Sequence, residues 1–197
     1  MVSVRTSILE DLDAYPRTSR RSRATPSTAK SLYESMFGNT RQVAEAIAAG
    51  VSEHADVEVT DVVLAPALVP PDVDLVVLGG PTHVFSMSRD STRHDAVRRG
   101  AAEQDLKTGI RDWITGLPPA GNIPRFAAFD TKVRVPLLPG SAARPATEIA
   151  RRLGFRVTEP ESFLVEGYAG PLRDGELDRA TAWGRQLRTS IPPTSST

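Results

Sequence analysis

Seven consecutive residues, Glu34-Ser35-Met36-Phe37-Gly38-Asn39-Thr40, combine two hydroxyls, one carboxamide and one glycine at a point where an apolar run gives way to helical periodicity. A strand turning into a helix through such residues can aim several backbone N–H groups at the oxygens of a phosphate, with no cation required. The helix start has separate support, because Asn39 followed by Gln42 has the spacing of a capping box. The same residue types would also serve a well-capped helix that binds nothing, and composition leaves both readings open. Other phosphate motifs are absent: there is no G-x-x-x-x-G-K-[ST], and no G-x-G-x-x-G follows a strand. Metal and hydrolytic chemistry have little to stand on. His83, Asp90, His94 and Asp95 match no ligand spacing, and the three histidines are accompanied by no G-x-S-x-G elbow.

The chain that must position this loop has 197 residues, of which 40% are hydrophobic, enough for one well-filled core. Lysine and arginine equal aspartate and glutamate at 24 each, so no net field draws the protein to nucleic acid or to a membrane surface, and the expected partner is a small molecule. Cysteine is absent, which removes disulfides, thiolate nucleophiles and thiolate metal sites and suggests a cytoplasmic protein. No apolar run approaches the roughly 20 residues that span a bilayer. Residues 1–29, rich in Ser, Thr and Arg, read as a disordered extension, residues 30–188 as one domain and residues 189–197 as a second tail.

Within the domain, β-type runs alternate with helical stripes, the pattern of parallel βαβ units. Strands are predicted at Ser31–Tyr33, Val57–Val63, Val73–Leu78, Phe126–Phe129 and Phe163–Val165. The third and fourth are continuous apolar runs, as expected of strands covered on both faces. The first is thin, with only Leu32 and Tyr33 apolar, and so predicts weak anchoring of the loop that follows it. Helices are predicted from Thr40 to Val51, along the stripe Ile110, Trp113, Ile114 and Leu117, and from Ser141, as N-cap, to Leu153. A closing helix is predicted behind Asp174, with Leu177, Ala180, Gly184 and Leu187 facing inward.

Tyr33-Glu34-Ser35-Met36-Phe37-Gly38-Asn39-Thr40-Arg41 with Val43-Ala44-Glu45-Ala46-Ile47 resembles the phosphate loop and first helix of flavodoxins, particularly a short flavodoxin-like group from high-GC bacteria. Leu78-Gly79-Gly80-Pro81-Thr82-His83 is similar to the family's second loop, and Phe129-Asp130-Thr131-Lys132-Val133 lies where its third begins. Leu138 to Ala143 and Gly170-Pro171-Leu172 are similar to further segments of that group. One position departs from the pattern: Phe37 stands where flavodoxins commonly carry Thr.

The resemblance covers about residues 30 to 188 and implies a three-layer α/β/α sandwich around a five-stranded parallel sheet. Its order would be 2-1-3-4-5, for which flavodoxin is the standard example, with the ligand where the order reverses. It implies noncovalent FMN, the phosphate on Ser35, Met36, Phe37, Gly38, Asn39 and Thr40. The ring would lie against Pro81, Thr82, His83, Phe85, Asp130 and Thr131. Phe85 would stack on the ring or anchor its loop, and His83 would meet the ring or face solvent. Asp130 near the ring would disfavour anionic reduced flavin, whereas Lys132 or Arg134 would favour it. Arg89, Arg93, Arg98 and Arg99 would receive a nicotinamide's phosphates or an acidic protein partner, or would simply form a solvated face. The activity implied is electron or hydride transfer, as in an FMN-dependent NAD(P)H oxidoreductase acting on quinones, with an oligomer possible as in related enzymes. A one-electron carrier and a flavin-free binding domain are the alternatives.

Overall fold

The computed structural model describes residues 27–83, 85–101, 108–119, 124–134 and 140–189. Of the expected tails at 1–29 and 189–197, residues 1–26 and 190–197 lie outside the described residues, as do Leu138 and Pro139 of the Leu138 to Ala143 segment. Six strands form one sheet: β1 (Ser27–Tyr33), β2 (Ala55–Asp61), β3 (Leu75–Pro81), β4 (Arg125–Val133), β5 (Arg156–Val157) and β6 (Glu161–Val165). All pairings are parallel, in the order β2-β1-β3-β4-β5, with β6 also on β4. β5 and β6 are successive pieces of one position, since Arg125 aligns with Arg156 and Phe129 with Glu161. Between them lies Pro160, which has no N–H to donate to a ladder. The expected fifth strand is therefore present but broken.

Among the described residues five helices cover the sheet: α1 (Asn39–Val51), α2 (Asp90–Arg98), α3 (Ile110–Gly116), α4 (Ala143–Arg152) and α5 (Glu176–Thr189). None is long and apolar enough to cross a membrane. Alternate residues of the strands feed two cores. Leu32, Val76, Leu78, Phe126 and Ala128 pack with α3 and α4. Ala29, Leu75, Val77, Ala127, Phe129 and Phe163 pack with α1 and α5.

The structure revises several sequence expectations. β1 has seven residues and takes in Ser27, Thr28 and Ala29, which were assigned to the extension. Its strength comes from small buried residues: Ala29 and Ser31 lie under α1, and the Ser31 hydroxyl donates to the Ala44 carbonyl at 3.4 Å. Lys30 pairs with its cross-strand neighbour Glu58 at 2.5 Å. β2 ends early because the Asp61 carboxylate accepts the Val63 N–H at 3.0 Å and turns residues 62–64 into a 3-10 turn. α2 has no counterpart among the predicted elements. α5 begins at Glu176, two residues beyond the predicted cap Asp174, and it turns Glu176, Ala180, Gly184 and Leu187 inward. Leu177, placed on that face by the sequence, is 41% exposed.

α1 and α5 meet backbone to backbone. A Cβ on Gly50 would lie 2.2 Å from the Thr181 carbonyl oxygen, and one on Gly184 would lie 2.2 Å from that of Ile47. Main-chain atoms cannot swing aside, so Gly184→Ala is expected to cost about 2 kcal/mol through overpacking. Alanine is the better helix former by about 1 kcal/mol, so packing decides the sign. Urea unfolding measures it: a lower midpoint at unchanged slope is expected, and an unchanged midpoint would show that the helices separate freely.

Candidate functional site

β1 sends the chain outward to β2 on one side, and β3 sends it to β4 on the other, so a crevice opens at the carboxyl ends of β1 and β3. A cleft lies there, lined by Met36, Phe37, Asn39 and Thr40 from the first loop and helix, by Pro81, Thr82 and His83 after β3, by Thr131, Lys132 and Val133 of β4, and by Val165 and Tyr168.

The first loop enters α1 through Gly38, whose φ of 85° suits a residue without a side chain. No side chain caps α1 at this position. The Asn39–Gln42 capping box is not formed, because Asn39 is already inside the helix and its amide donates to the Ala169 carbonyl at 2.8 Å. Gly170 makes room for that clamp, since a Cβ there would sit 2.4 Å from the Asn39 amide nitrogen. Thr40 is equally committed: its buried hydroxyl shares a hydrogen bond of 2.7 Å with Thr131. Ser35 accepts the Arg41 N–H at 3.3 Å. The polar side chains that suggested an anion site thus tie the loop to β4 and to the loop after β6. What the loop offers an anion is backbone, the N–H groups of the first turn and the positive end of the helix dipole. Beneath it, Met36 and Phe37 pack on Ala96 and Val97 of α2.

The second loop is a tight turn, with His83 N–H donating to the Ser86 carbonyl at 2.8 Å and Ser86 N–H donating back at 3.0 Å. Thr82 binds β4 through its N–H to Thr131 at 2.9 Å and receives the Ala142 N–H on its hydroxyl at 3.0 Å. His83 Nε2 is buried and has no hydrogen-bond partner. Burial, helped by the positive charge of Arg93, holds the imidazole below its ordinary pKa of 6.5, so the ring is neutral at pH 7. It is neither solvent-facing nor set to titrate at neutrality.

Phe85 and Asp130 depart from the sequence assignment. Phe85 adopts φ 70°, is 54% exposed and does not line the cleft. Its backbone is pinned, with its carbonyl accepting the Ser141 N–H at 3.2 Å and its Cα 2.8 Å from where a Gly140 Cβ would stand. Asp130 is fully buried and faces away from the cleft toward α4, where its Oδ2 accepts the Ala143 N–H at 3.0 Å and the Ser141 hydroxyl at 2.5 Å. The two neighbours Asp130 and Thr131 point to opposite sheet faces, as consecutive strand residues must. Ser141 is not the N-cap itself, a position held by Ala142, but its hydroxyl accepts the Arg144 N–H at 3.1 Å. Lys132 stays in the cleft wall, its ammonium donating to the Gly140 carbonyl at 3.1 Å, while Arg134 is exposed.

Tyr168 was missed by the sequence reading. It stands in the loop after β6, its ring edge-to-face with Phe37 at 5.5 Å and under the Arg99 guanidinium at 4.7 Å. The only local signal is an aromatic residue between two glycines after a strand. Of the four arginines, Arg98 and Arg99 pair with Asp95, while Arg93 is buried and bonded to Ser88 and Asp112. His94 bonds the Asp90 carbonyl at 2.9 Å. Among the described residues no three His, Asp or Glu side chains gather as a metal site.

Because its folded-state pKa lies below 6.5, His83 contributes stability that is present above that pH and is lost as pH falls from 6.5 through the lowered value. Thermal unfolding of the wild type and of His83→Gln between pH 8 and pH 5 should therefore show the wild type losing ground only on the acid side. Parallel curves would mean that the ring is solvated.

No family model matches the sequence, and no curated protein matches it either. The fold is similar to solved structures. Flavodoxin 1 from Bacillus cereus aligns with a TM-score of 0.59 at 20% identity, covering 83% of this chain and 98% of that one. A flavodoxin from the domain Archaea aligns at 0.57 and 21%, with the same coverage. A short-chain flavodoxin associated with a bacterial microcompartment aligns at 0.58 and 13%, covering 84% of this chain and 99% of that one. The parallel sheet of this order with helices on both faces is the flavodoxin-like fold.

Proposed function

We propose that the cleft binds FMN noncovalently and that the protein passes electrons or hydride through it in the cytoplasm. The observation that carries this reading is the first turn of α1, delivered without a side-chain cap by the left-handed Gly38 into a cleft walled by the loops after β1 and β3. A phosphate monoester there would take its hydrogen bonds from the N–H groups around Gly38 to Thr40, with charge-assisted strength and the helix dipole behind them. Pro81, Thr82, His83 and Thr131 would then flank the ring, and Tyr168 and Phe37 would close the side nearest the phosphate.

The bound flavin would supply the redox chemistry, and the residues around it tune and orient it. Lys132 is the cationic side chain of the cleft wall, while Asp130 spends its charge on the N-terminus of α4. That balance stabilises negative charge on a reduced ring and favours two-electron transfer. His83, neutral at pH 7, lines the cleft without adding charge to it. A neutral chain lacks the acidic surface expected of an electrostatically docked carrier, so a reductase drawing hydride from a nicotinamide and reducing a small acceptor such as a quinone is favoured over a shuttle.

An absorbance spectrum after FMN addition and removal of excess should retain the two flavin bands with the protein. Riboflavin, which lacks the phosphate, should bind at least about tenfold more weakly, the equivalent of a charge-assisted hydrogen bond of roughly 1.5 kcal/mol or more. Equal affinity for both would remove the phosphate from the first loop, and a folded protein that retains neither would end the redox reading. Turnover of NAD(P)H with a quinone then separates a reductase from a carrier.

A further inference from the structure

A cluster of ionisable groups with two buried members lies beside the cleft on the α3 side of the sheet. Glu34, the residue joining β1 to the first loop, is 2% exposed and Arg93 of α2 is 3% exposed. Glu34 Oε2 accepts the Ile110 N–H at 2.8 Å. Arg93 donates to the Ser88 hydroxyl at 3.1 Å and lies 2.9 Å from Asp112 Oδ2, which also accepts the Gly109 N–H at 3.0 Å. These groups converge on one spot of bare backbone. A Cβ on Gly109 would lie 2.5 Å from Arg93 Nη1, 2.6 Å from Ser88 Oγ and 2.7 Å from Glu34 Oε2. With φ at −103° any residue could adopt the backbone, so glycine is needed there for space alone. The cluster joins the end of β1, the end of the second loop, α2 and the start of α3. It leaves Glu34 Oε1 buried without a partner.

We propose that Glu34 and Arg93 are positioning residues for the flavin site: the ionised Glu34 carboxylate attracts Arg93, itself bonded to Ser88 and Asp112, across Gly109, and so holds the root of the phosphate loop against the root of the second loop and sets the width of the cleft between them. This rests on the FMN reading above. Three groups face Glu34: Arg93 from α2, Asp112 from α3 and Ser88 from the second loop; His83 is reached only through Arg93. Burial raises the Glu34 pKa above its ordinary 4.5, opposed by the Ser88 hydroxyl, the Ile110 N–H and Arg93. Proton uptake by Glu34 therefore favours the folded state, a contribution present below pH 4.5 and lost as pH rises through the raised value. Cofactor affinity runs the other way, since the protonated acid no longer attracts Arg93, which stays bonded to Ser88 and Asp112. Opposite slopes of stability and affinity distinguish loosening of the site from unfolding.

The test titrates the full chain with FMN across pH 5 to 8, comparing wild type with Glu34→Gln, which keeps an oxygen for the Ile110 N–H but cannot ionise. The phosphate's own titration cancels in the ratio of the two dissociation constants. The variant should bind roughly tenfold more weakly at pH 8, with the ratio approaching one on the acid side. A ratio that stays constant overturns the proposal. Ser88→Ala, a milder change, should move the midpoint to higher pH, and an unmoved midpoint counts against it. A second readout needs no cofactor: Trp113 lies one turn beyond Ile110, and a Trp183→Phe background isolates its emission. Its titration should vanish with Glu34→Gln. Should the wild type bind no FMN, the flavin reading fails, while Trp113 still decides whether the pair moves α3; emission that ignores pH or the substitution would refute it.

Discussion

The carboxyl edge of a parallel sheet collects the N-termini of the helices that follow its strands, and each brings N–H groups that no helical carbonyl can accept. Much of this molecule is arranged around satisfying them. Glu34 and Asp112 take the first N–H groups of α3, and Asp130 and Ser141 take those of α4. Thr92 binds the Arg89 N–H at the start of α2. α1 begins instead at a bare, left-handed Gly38, with Ser35 reaching only the Arg41 N–H. An anion in the cleft would complete at α1 what carboxylates and hydroxyls complete at its neighbours.

That division of labour also sets the charge of the cleft. Asp130 and Thr131 are adjacent in sequence, but strand parity sends one to α4 and the other to Thr40. The carboxylate is thereby spent on α4, and Lys132, partly exposed, lies in the cleft wall. A shift of one residue in the pairing of β4 would exchange the faces of Asp130 and Thr131, so the register of the sheet decides which of them meets α4 and which meets Thr40.

Residue type made some of this legible and concealed the rest. β3 and β4 could be read because strands buried on both faces are continuously apolar. β1 was under-read because the close approach of α1 selects Ala29 and Ser31, which carry little apolar signal. α2 was unreadable for a stronger reason: of its residues only Arg93 and Ala96 are buried, and an inward-facing arginine looks like a solvated one until Ser88 and Asp112 are brought to it. Of the residues that line the cleft, those of the first loop stood out by type, and Pro81 to His83 only through the resemblance. Phe85, read as a ring contact or a loop anchor, stands outside the cleft because the turn that pins its backbone depends on Gly140, far along the chain. Tyr168 gains its meaning only from Phe37 and Arg99, which sequence separates from it by many residues.

Two buried carboxylates with one bare oxygen each, Glu34 and Asp130, lie at the same edge and on the same face of the sheet. The sheet separates them. Glu34 continues the register of β1 opposite Gly80, which pairs with Asp130, so the two are a pair of strand spacings apart, about 10 Å. No side chain stands between them on β3, and the gap over Gly80 is filled by Ile110, whose Cδ1 would lie 2.4 Å from a Cβ there. The same Ile110 presents its N–H to Glu34, so one residue both anchors the first carboxylate and screens it with apolar bulk from the second. Each acid therefore answers to its own helix: Glu34 with Arg93 controls the approach of the two loop roots, and Asp130 fixes α4 whatever the protonation state of its neighbour.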